Sequence, residues 1–339
     1  MPAEWEAHEA TWLAWPHNEN TWPEGRLAKV RSVYVTMIES LLRGEKVHLL
    51  VNGNTEAEQV RSLLGEKNAG SEKLTLHFVP TADVWIRDYG PTFLCTEARK
   101  RAWCKWIFNA WGGKYKNLVR DTEVFLPKNR ERLESVFMQP VFEADFVLEG
   151  GSIEVNGRGT CLTTRQCLLN PNRNPKMSQE MIEDRLRQYL GVSDILWLDE
   201  GIAGDDTDGH VDDIARFVSA DTILAAYEDN PEDINYPMLK KNWGLLEKIS
   251  QRAGAKFHLR RLPMPPAVEN DGDRLPASYA NFYIANAVVL VPVFDVPSDA
   301  DALALLKELF PDRKIIGLPS RELVYGLGAI HCVTQQQPR

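Results

Sequence analysis

The chain has 339 residues, 26% of them charged, with a formal net charge of −9 and a pI near 5.4. That balance, without a lysine/arginine stripe, excludes a nucleic-acid footprint, and no apolar run reaches the roughly 18 residues of a membrane helix. A chain of this length buries a large core, and a moderately acidic surface is compatible with a small cationic partner.

The N-terminus, Met1-Pro-Ala-Glu-Trp-Glu-Ala-His8, has neither a basic region nor an apolar stretch, so no signal peptide is read. The five cysteines form no paired spacing and no CxxC, which leaves no zinc ribbon or thioredoxin-type motif. A reducing cytoplasm is expected. After an apolar strand at 9–15 come a helix at 27–42 and strands at 46–51 and 74–79.

From there a unit repeats. Two apolar strands flank a polar turn at 92–108 (turn near 97–100), 152–164 (turn at Asn156-Gly157), 215–227 (Ala220-Asp221) and 281–294 (Ala285-Asn286). Their starts are 60, 63 and 66 residues apart. Each pair leads to a helical pattern, at 128–137, 178–190, 236–253 and 300–309. Each helix leads to one more strand, at 145–148, 195–198, 257–262 and 314–318. The opening segment supplies helix and strand but only half a hairpin. Its missing partner is expected at 329–334, beside 9–15, so that both termini close one ring. Five units of this size indicate an α/β fold with radial repetition rather than a doubly wound sheet. No linker divides the chain, which is read as one domain over 1–339.

Cys332 is expected on a short strand before Gln335-Gln-Gln337, where a thiol is either packing or a nucleophile. His331 should point to the opposite face of that strand, which makes it a poor base for Cys332. His210 is the better base: the run Gly204-Asp-Asp-Thr-Asp-Gly-His-Val-Asp-Asp213 is too rich in turn formers for a helix. In extended backbone His210 and Asp212 share a side, and an acid beside an imidazole orients it and raises its basicity. No second histidine stands at metal-ligand spacing, so no metal is expected. Asp88, within Trp85-Ile-Arg-Asp-Tyr-Gly-Pro91, either pairs with Arg87 or faces a cavity with Trp85 at its rim. Glu149 ends an apolar run before Gly150-Gly151, where a buried carboxylate needs a cation. A guanidinium is one such cation, held by planar bidentate contacts.

Together the motifs Trp5-Glu-Ala-His-Glu-Ala-Thr-Trp-Leu-Ala-Trp-Pro16, Trp85-Ile-Arg-Asp-Tyr-Gly-Pro91, Phe108-Asn-Ala-Trp-Gly-Gly113, Glu149-Gly-Gly151, Asp206-Thr-Asp-Gly-His-Val-Asp212 and Ile330-His-Cys-Val-Thr-Gln-Gln336 resemble, in order, the family of agmatine deiminases and bacterial-type peptidyl-arginine deiminases. That family is part of the guanidino-group-modifying pentein superfamily. The resemblance covers essentially the whole chain. It implies a pentein five-bladed β/α propeller with pseudo-fivefold symmetry and repeated ββαβ units. It also implies Cys332 as nucleophile, His210 as general acid/base, and Asp88 and Asp212 gripping the guanidinium. Glu149 would pair with His210 or assist, Trp85 would sit at the rim, and Asp206 would face the distal amine of agmatine.

The expected reaction is hydrolysis of agmatine to N-carbamoylputrescine and ammonia through an amidino-cysteine, in polyamine synthesis. No cofactor, nucleic acid or membrane is involved, and a homo-oligomer is allowed. Free arginine or peptidyl-arginine as substrate, a non-catalytic cation-binding propeller, and a metal hydrolase built on His210 and Asp212 are the alternatives.

Overall fold

Each apolar strand pair forms an antiparallel hairpin, and each is followed by a helical segment and a strand parallel to the hairpin's second member. A computed structural model describes residues 1–96, 98–251 and 257–339. The four internal units are Thr92–Cys95, Arg101–Ile107 and Val141–Val147; Ile153–Val155, Thr160–Thr164 and Asp194–Leu198; Ala215–Ser219, Thr222–Tyr227 and His258–Pro263; and Tyr283–Ile284, Val288–Val293 and Lys314–Pro319. The fifth joins the termini: Gln335–Pro338 runs antiparallel to His8–Ala14, which is parallel to Lys46–Val51 and, beyond it, Leu74–Phe78.

Consecutive units touch all the way round. Gln335–Pro338 meets Thr92–Cys95, Ile153–Val155 meets Ala215–Ser219, helix Ser298–Leu309 meets His258–Pro263, and helix Arg26–Leu41 meets Lys314–Pro319. Trp106 of the first internal unit packs edge-on against Tyr189 of the second. These five sheets, of the six among the described residues, are thus the blades of a pentein propeller, closed by strands from both ends of the chain.

Local chemistry explains the bounds of one repeat helix. Ser178 accepts a hydrogen bond from the Met181 amide at the start of Gln179–Leu190, and Gly191 at φ 68° closes it in the left-handed conformation. Helix Tyr236–Ser250 stops short of the expected 253, and residues 252–253 lie outside the described residues, as does residue 97 of the first turn. The helix expected at 128–137 is instead a 3-10 segment, Pro127–Arg132, and a four-residue helix, Glu134–Phe137. The Asn129 amide there bonds the carbonyls of Glu123 and Val124 and competes with a regular ladder. Helix Asn54–Ala69 went unread because only Ala57, Val60 and Leu64 are buried along it.

The closing strand also differs from expectation. It lies at Gln335–Pro338, and residues 330–333 form turns. Asn281 takes up the backbone donors there: its side-chain and main-chain oxygens accept from the His331 amide at 2.8 and 3.0 Å. A segment whose amides are held by a loop residue has none to give a ladder.

Candidate active site

Cys332 therefore sits on a turn, 8% exposed, at the floor of a cavity of about 800 Å³ lined also by Trp85, Asp88, Trp111, Tyr115 and Asp206. Its sulfur is 3.2 Å from the Asn281 amide nitrogen, which donates to it. Trp85 packs on the glycine preceding this turn; a Cβ on Gly328 would lie 2.4 Å from its ring.

Asp88 lies in a single helical turn, Ile86–Tyr89, not on a strand. Arg87 and Asp88 consequently diverge, and the expected alternative of an ion pair between them does not form. Arg87 instead donates to Gln336 at 2.7 Å and approaches Glu4 at 3.4 Å. Asp88 accepts from the Trp111 indole at 2.8 Å and the Gly151 amide at 3.0 Å. The extended backbone expected through His210 and Asp212 is likewise replaced by a 3-10 turn, Val211–Asp213. The acidic loop before it is wound around Asp205, which accepts from the amides of Thr207, Gly209 and His210.

The three side chains converge all the same. Around the space that a Cβ on Gly151 would occupy lie His210 Nδ1 at 2.6 Å, Asp88 Oδ1 at 3.0 Å and Asp212 Oδ2 at 3.1 Å. Only glycine fits there, which gives the Glu149-Gly-Gly151 motif its physical reason. The Cys332 sulfur is 4.0 Å from the same Asp212 oxygen, so thiol and imidazole flank one carboxylate.

Glu149 is fully buried and does pair with a cation, but with a protein one: Arg173 Nε donates to its Oε1 at 2.7 Å. No hydrogen bond joins Glu149 to His210. The two are nevertheless close, since Glu149, Cys167 and His210 bring ligand-type atoms within 4.8 Å of one another. This is the group among the described residues that could hold a metal ion. Glu149 Oε2, His210 Nε2 and Asp212 Oδ1 are buried without a protein partner. Asp206 reaches the cavity wall, where the Tyr115 hydroxyl donates to it and Lys114 binds its main-chain carbonyl.

Burial dominates the electrostatics. It pushes the Cys332 thiol well above its ordinary value, helped by the charges of Asp212, Asp213 and Asp88. Asp88 is likewise raised by burial and by the charges of Asp212 and Glu149. His210 is lowered by burial to about 3, against the pull of Asp212, and is neutral at rest. Asp212 goes the other way: burial would raise it, but the hydrogen bond and charge of His331 hold it below the usual carboxylate range. Among the described residues no lysine or arginine forms an ion pair with Asp88 or Asp212. The floor of the cavity is acid-rich and suited to a cation.

Of the seven residues singled out in the sequence, Cys332, Asp88, Trp85 and Asp206 line this cavity, while His210 and Asp212 are buried beside Asp88 and Glu149 is buried near His210. Sequence reasoning missed Asn281, Trp111 and Arg173, together with Glu4 and the part played by His331. Trp111 carried a signal as part of an Asn-Ala-Trp-Gly-Gly run; the Asn/Pro-rich loop around Arg173 carried none.

A family model described as Porphyromonas-type peptidyl-arginine deiminase matches residues 1–338. The agmatine deiminase of Pseudomonas aeruginosa (strain LESB58) is 37% identical over 360 residues, covering 100% of this chain and 95% of that protein. The agmatine deiminase of Ectopseudomonas mendocina (strain ymp) is 36% identical with the same coverage. The solved agmatine deiminase of Enterococcus faecalis superposes with a TM-score of 0.90 at 32% identity, covering 100% of this chain and 95% of that one.

Proposed function

Since the chain belongs to the Porphyromonas-type peptidyl-arginine deiminase family, we propose that it hydrolyses agmatine to N-carbamoylputrescine and ammonia, as one catalytic domain spanning residues 1–339. The observation that carries this reading is a thiol and a carboxylate, Cys332 and Asp88, lining one cavity, with the Asp212 carboxylate buried beside them and, among the described residues, no lysine or arginine paired to either acid. A planar guanidinium satisfies both acids at once.

Binding also supplies the activation. The charges that hold the thiol protonated are those a guanidinium neutralises, so the substrate itself favours the thiolate. The Asn281 amide adds a donor to the sulfur. His210, neutral at rest, receives the thiol proton, and sulfur adds to the guanidinium carbon. His210 returns the proton to the departing nitrogen, which leaves as ammonia, and an amidino-cysteine remains. His210 then takes a proton from water as its oxygen attacks. The C–S bond breaks, releasing the ureido product and restoring the thiol.

Substrate choice follows from the mouth. Asp206 faces the cavity and suits the distal amine of agmatine, whereas it opposes the carboxylate of arginine. Arginines that would favour a substrate carboxylate are engaged elsewhere: Arg87 is buried toward Glu4, Arg260 pairs with Glu308, and Arg261 stacks over Tyr227 and Trp243. Arg274 does line the cavity, but Asp233 neutralises it at 2.8 Å. Ammonia release from agmatine, arginine and a blocked peptidyl-arginine tests the reading. Agmatine should turn over fastest, and Cys332→Ala should reduce release to background. Equal or faster release from arginine or peptidyl-arginine contradicts the substrate, and chelator-sensitive turnover that survives Cys332→Ala contradicts the mechanism.

A further inference from the structure

The centre of the ring, beneath Cys332, holds a chain of ionisable side chains that the mechanism above does not use. Glu4 enters it from the N-terminal segment and is 3% exposed. Its Oε1 accepts from Arg216 Nη2 and from the Ile284 amide, each at 2.8 Å, and its Oε2 lies 2.8 Å from His331 Nε2. Arg216 is itself fixed by Glu154 at 3.0 Å and by the carbonyls of Ala280 and Phe282. The other nitrogen of the same ring, His331 Nδ1, is 2.6 Å from Asp212 Oδ2.

Both nitrogens of His331 thus face carboxylate oxygens, which can only accept when ionised, so both donate and the ring is pinned between them. A carboxylate held at one oxygen by a pinned donor loses its freedom to rotate. For Asp212 this fixes Oδ2 at 4.0 Å from the sulfur and leaves Oδ1 without a protein partner. Asp88, by contrast, is oriented by neutral donors, an indole and a backbone amide.

We propose that Glu4, acting through His331, is a positioning residue that sets the rotation of the Asp212 carboxylate against the substrate guanidinium. The inference rests on the reading of Asp212 as a guanidinium ligand. It gives the N-terminal segment, which touches no substrate, a direct consequence for substrate affinity. It also gives His331 a role other than general base.

Two substitutions at one position separate positioning from simple packing. In His331→Asn the side-chain amide stands near Nδ1 and keeps a donor to Asp212; in His331→Gln the amide reaches toward Nε2 and keeps only the contact with Glu4. Steady-state kinetics with agmatine, and calorimetric binding of agmatine in a Cys332→Ser background, are measured for both variants and for Glu4→Gln. The expected order of kcat/KM is wild type, then His331→Asn, then His331→Gln. The last should fall on the order of 10²-fold, with a raised KM and weakened binding. Glu4→Gln should lower affinity with its thermal midpoint near that of wild type. If Glu4→Gln does not fold, the pair at position 331 decides alone. Equal kcat/KM and affinity in the Asn and Gln variants, or values within about twofold of wild type, overturn the proposal. Wild type that releases no ammonia from agmatine sinks the functional reading instead, so the two failures are distinguishable.

Discussion

Two pairs of buried histidines, on different parts of the propeller, show what burial alone does and does not make. His48 and His77 lie on neighbouring strands of the blade that joins the termini, their rings stacked on Trp12 at 4.4 and 5.0 Å. His77 Nδ1 donates to the Arg132 carbonyl, and its Nε2 accepts from His48 Nδ1 at 2.9 Å. Among the described residues no carboxylate hydrogen-bonds either ring. Burial depresses both, His48 to about 3, and they act as neutral aromatic packing. His210 and His331 are buried more deeply still, yet each faces acids: Asp88 at 3.8 Å for one, Glu4 and Asp212 for the other. The partners, rather than the depth, separate a structural imidazole from one with a part in chemistry.

The largest test of that contrast is catalytic. His210→Gln should lower kcat on the order of 10²–10⁴-fold, the usual worth of a general acid/base, while His48→Gln should leave kcat within about twofold. Comparable losses in both would erase the distinction. Next comes the ion pair behind His210. Arg173→Met leaves Glu149 buried and uncompensated, with a loss of about 3–5 kcal/mol in unfolding free energy. A denaturant midpoint equal to that of wild type would show that Glu149 is neutral in the folded protein.

The structural pair should also leave a pH signature. Folding keeps His48 neutral well below its ordinary 6.5, so the unfolded chain binds the extra proton first. Its stabilising contribution is complete above pH 6.5 and is lost as pH falls toward 3. At pH 5 that loss is on the order of 2 kcal/mol for a folded value of about 3. Thermal midpoints should therefore fall less steeply between pH 7 and pH 5 in a His48→Phe/His77→Phe double variant than in wild type; parallel slopes would contradict the assignment. The smallest effect sharpens the cavity mouth. Asp206→Asn should raise KM for agmatine about tenfold, roughly 1.4 kcal/mol, with kcat little changed. An unchanged KM would remove Asp206 from amine recognition.

Much of this architecture was legible because the blades advertise themselves locally. Apolar strand pairs, short polar turns and helical patterns repeat at a near-constant spacing, and that spacing is what points to a ring. Legibility ended where tertiary contacts override local preference. The apolar run through Cys332 reads as a strand, but Asn281, 51 residues away, claims its amides and turns it. His210 and Asp212 were expected on one extended segment, but Asp212 lies in a 3-10 turn that His210 only precedes, and Asp88 lies in a single helical turn, yet the three side chains converge. The residue types carried the site even where the local geometry was misjudged. Glu4, His331 and Arg173 could not be found the same way, because their meaning lies wholly in partners distant along the chain.

The claim on which the account turns is that the sulfur of residue 332 becomes bonded to the guanidinium carbon of agmatine. Acid-quenching wild type during turnover, followed by peptide mass spectrometry, measures it directly. The account predicts an amidino group on the peptide containing Cys332, absent in Cys332→Ala and increased when His210→Gln slows hydrolysis. Turnover at the wild-type rate with Cys332 unmodified, or with the adduct on another side chain, would contradict it.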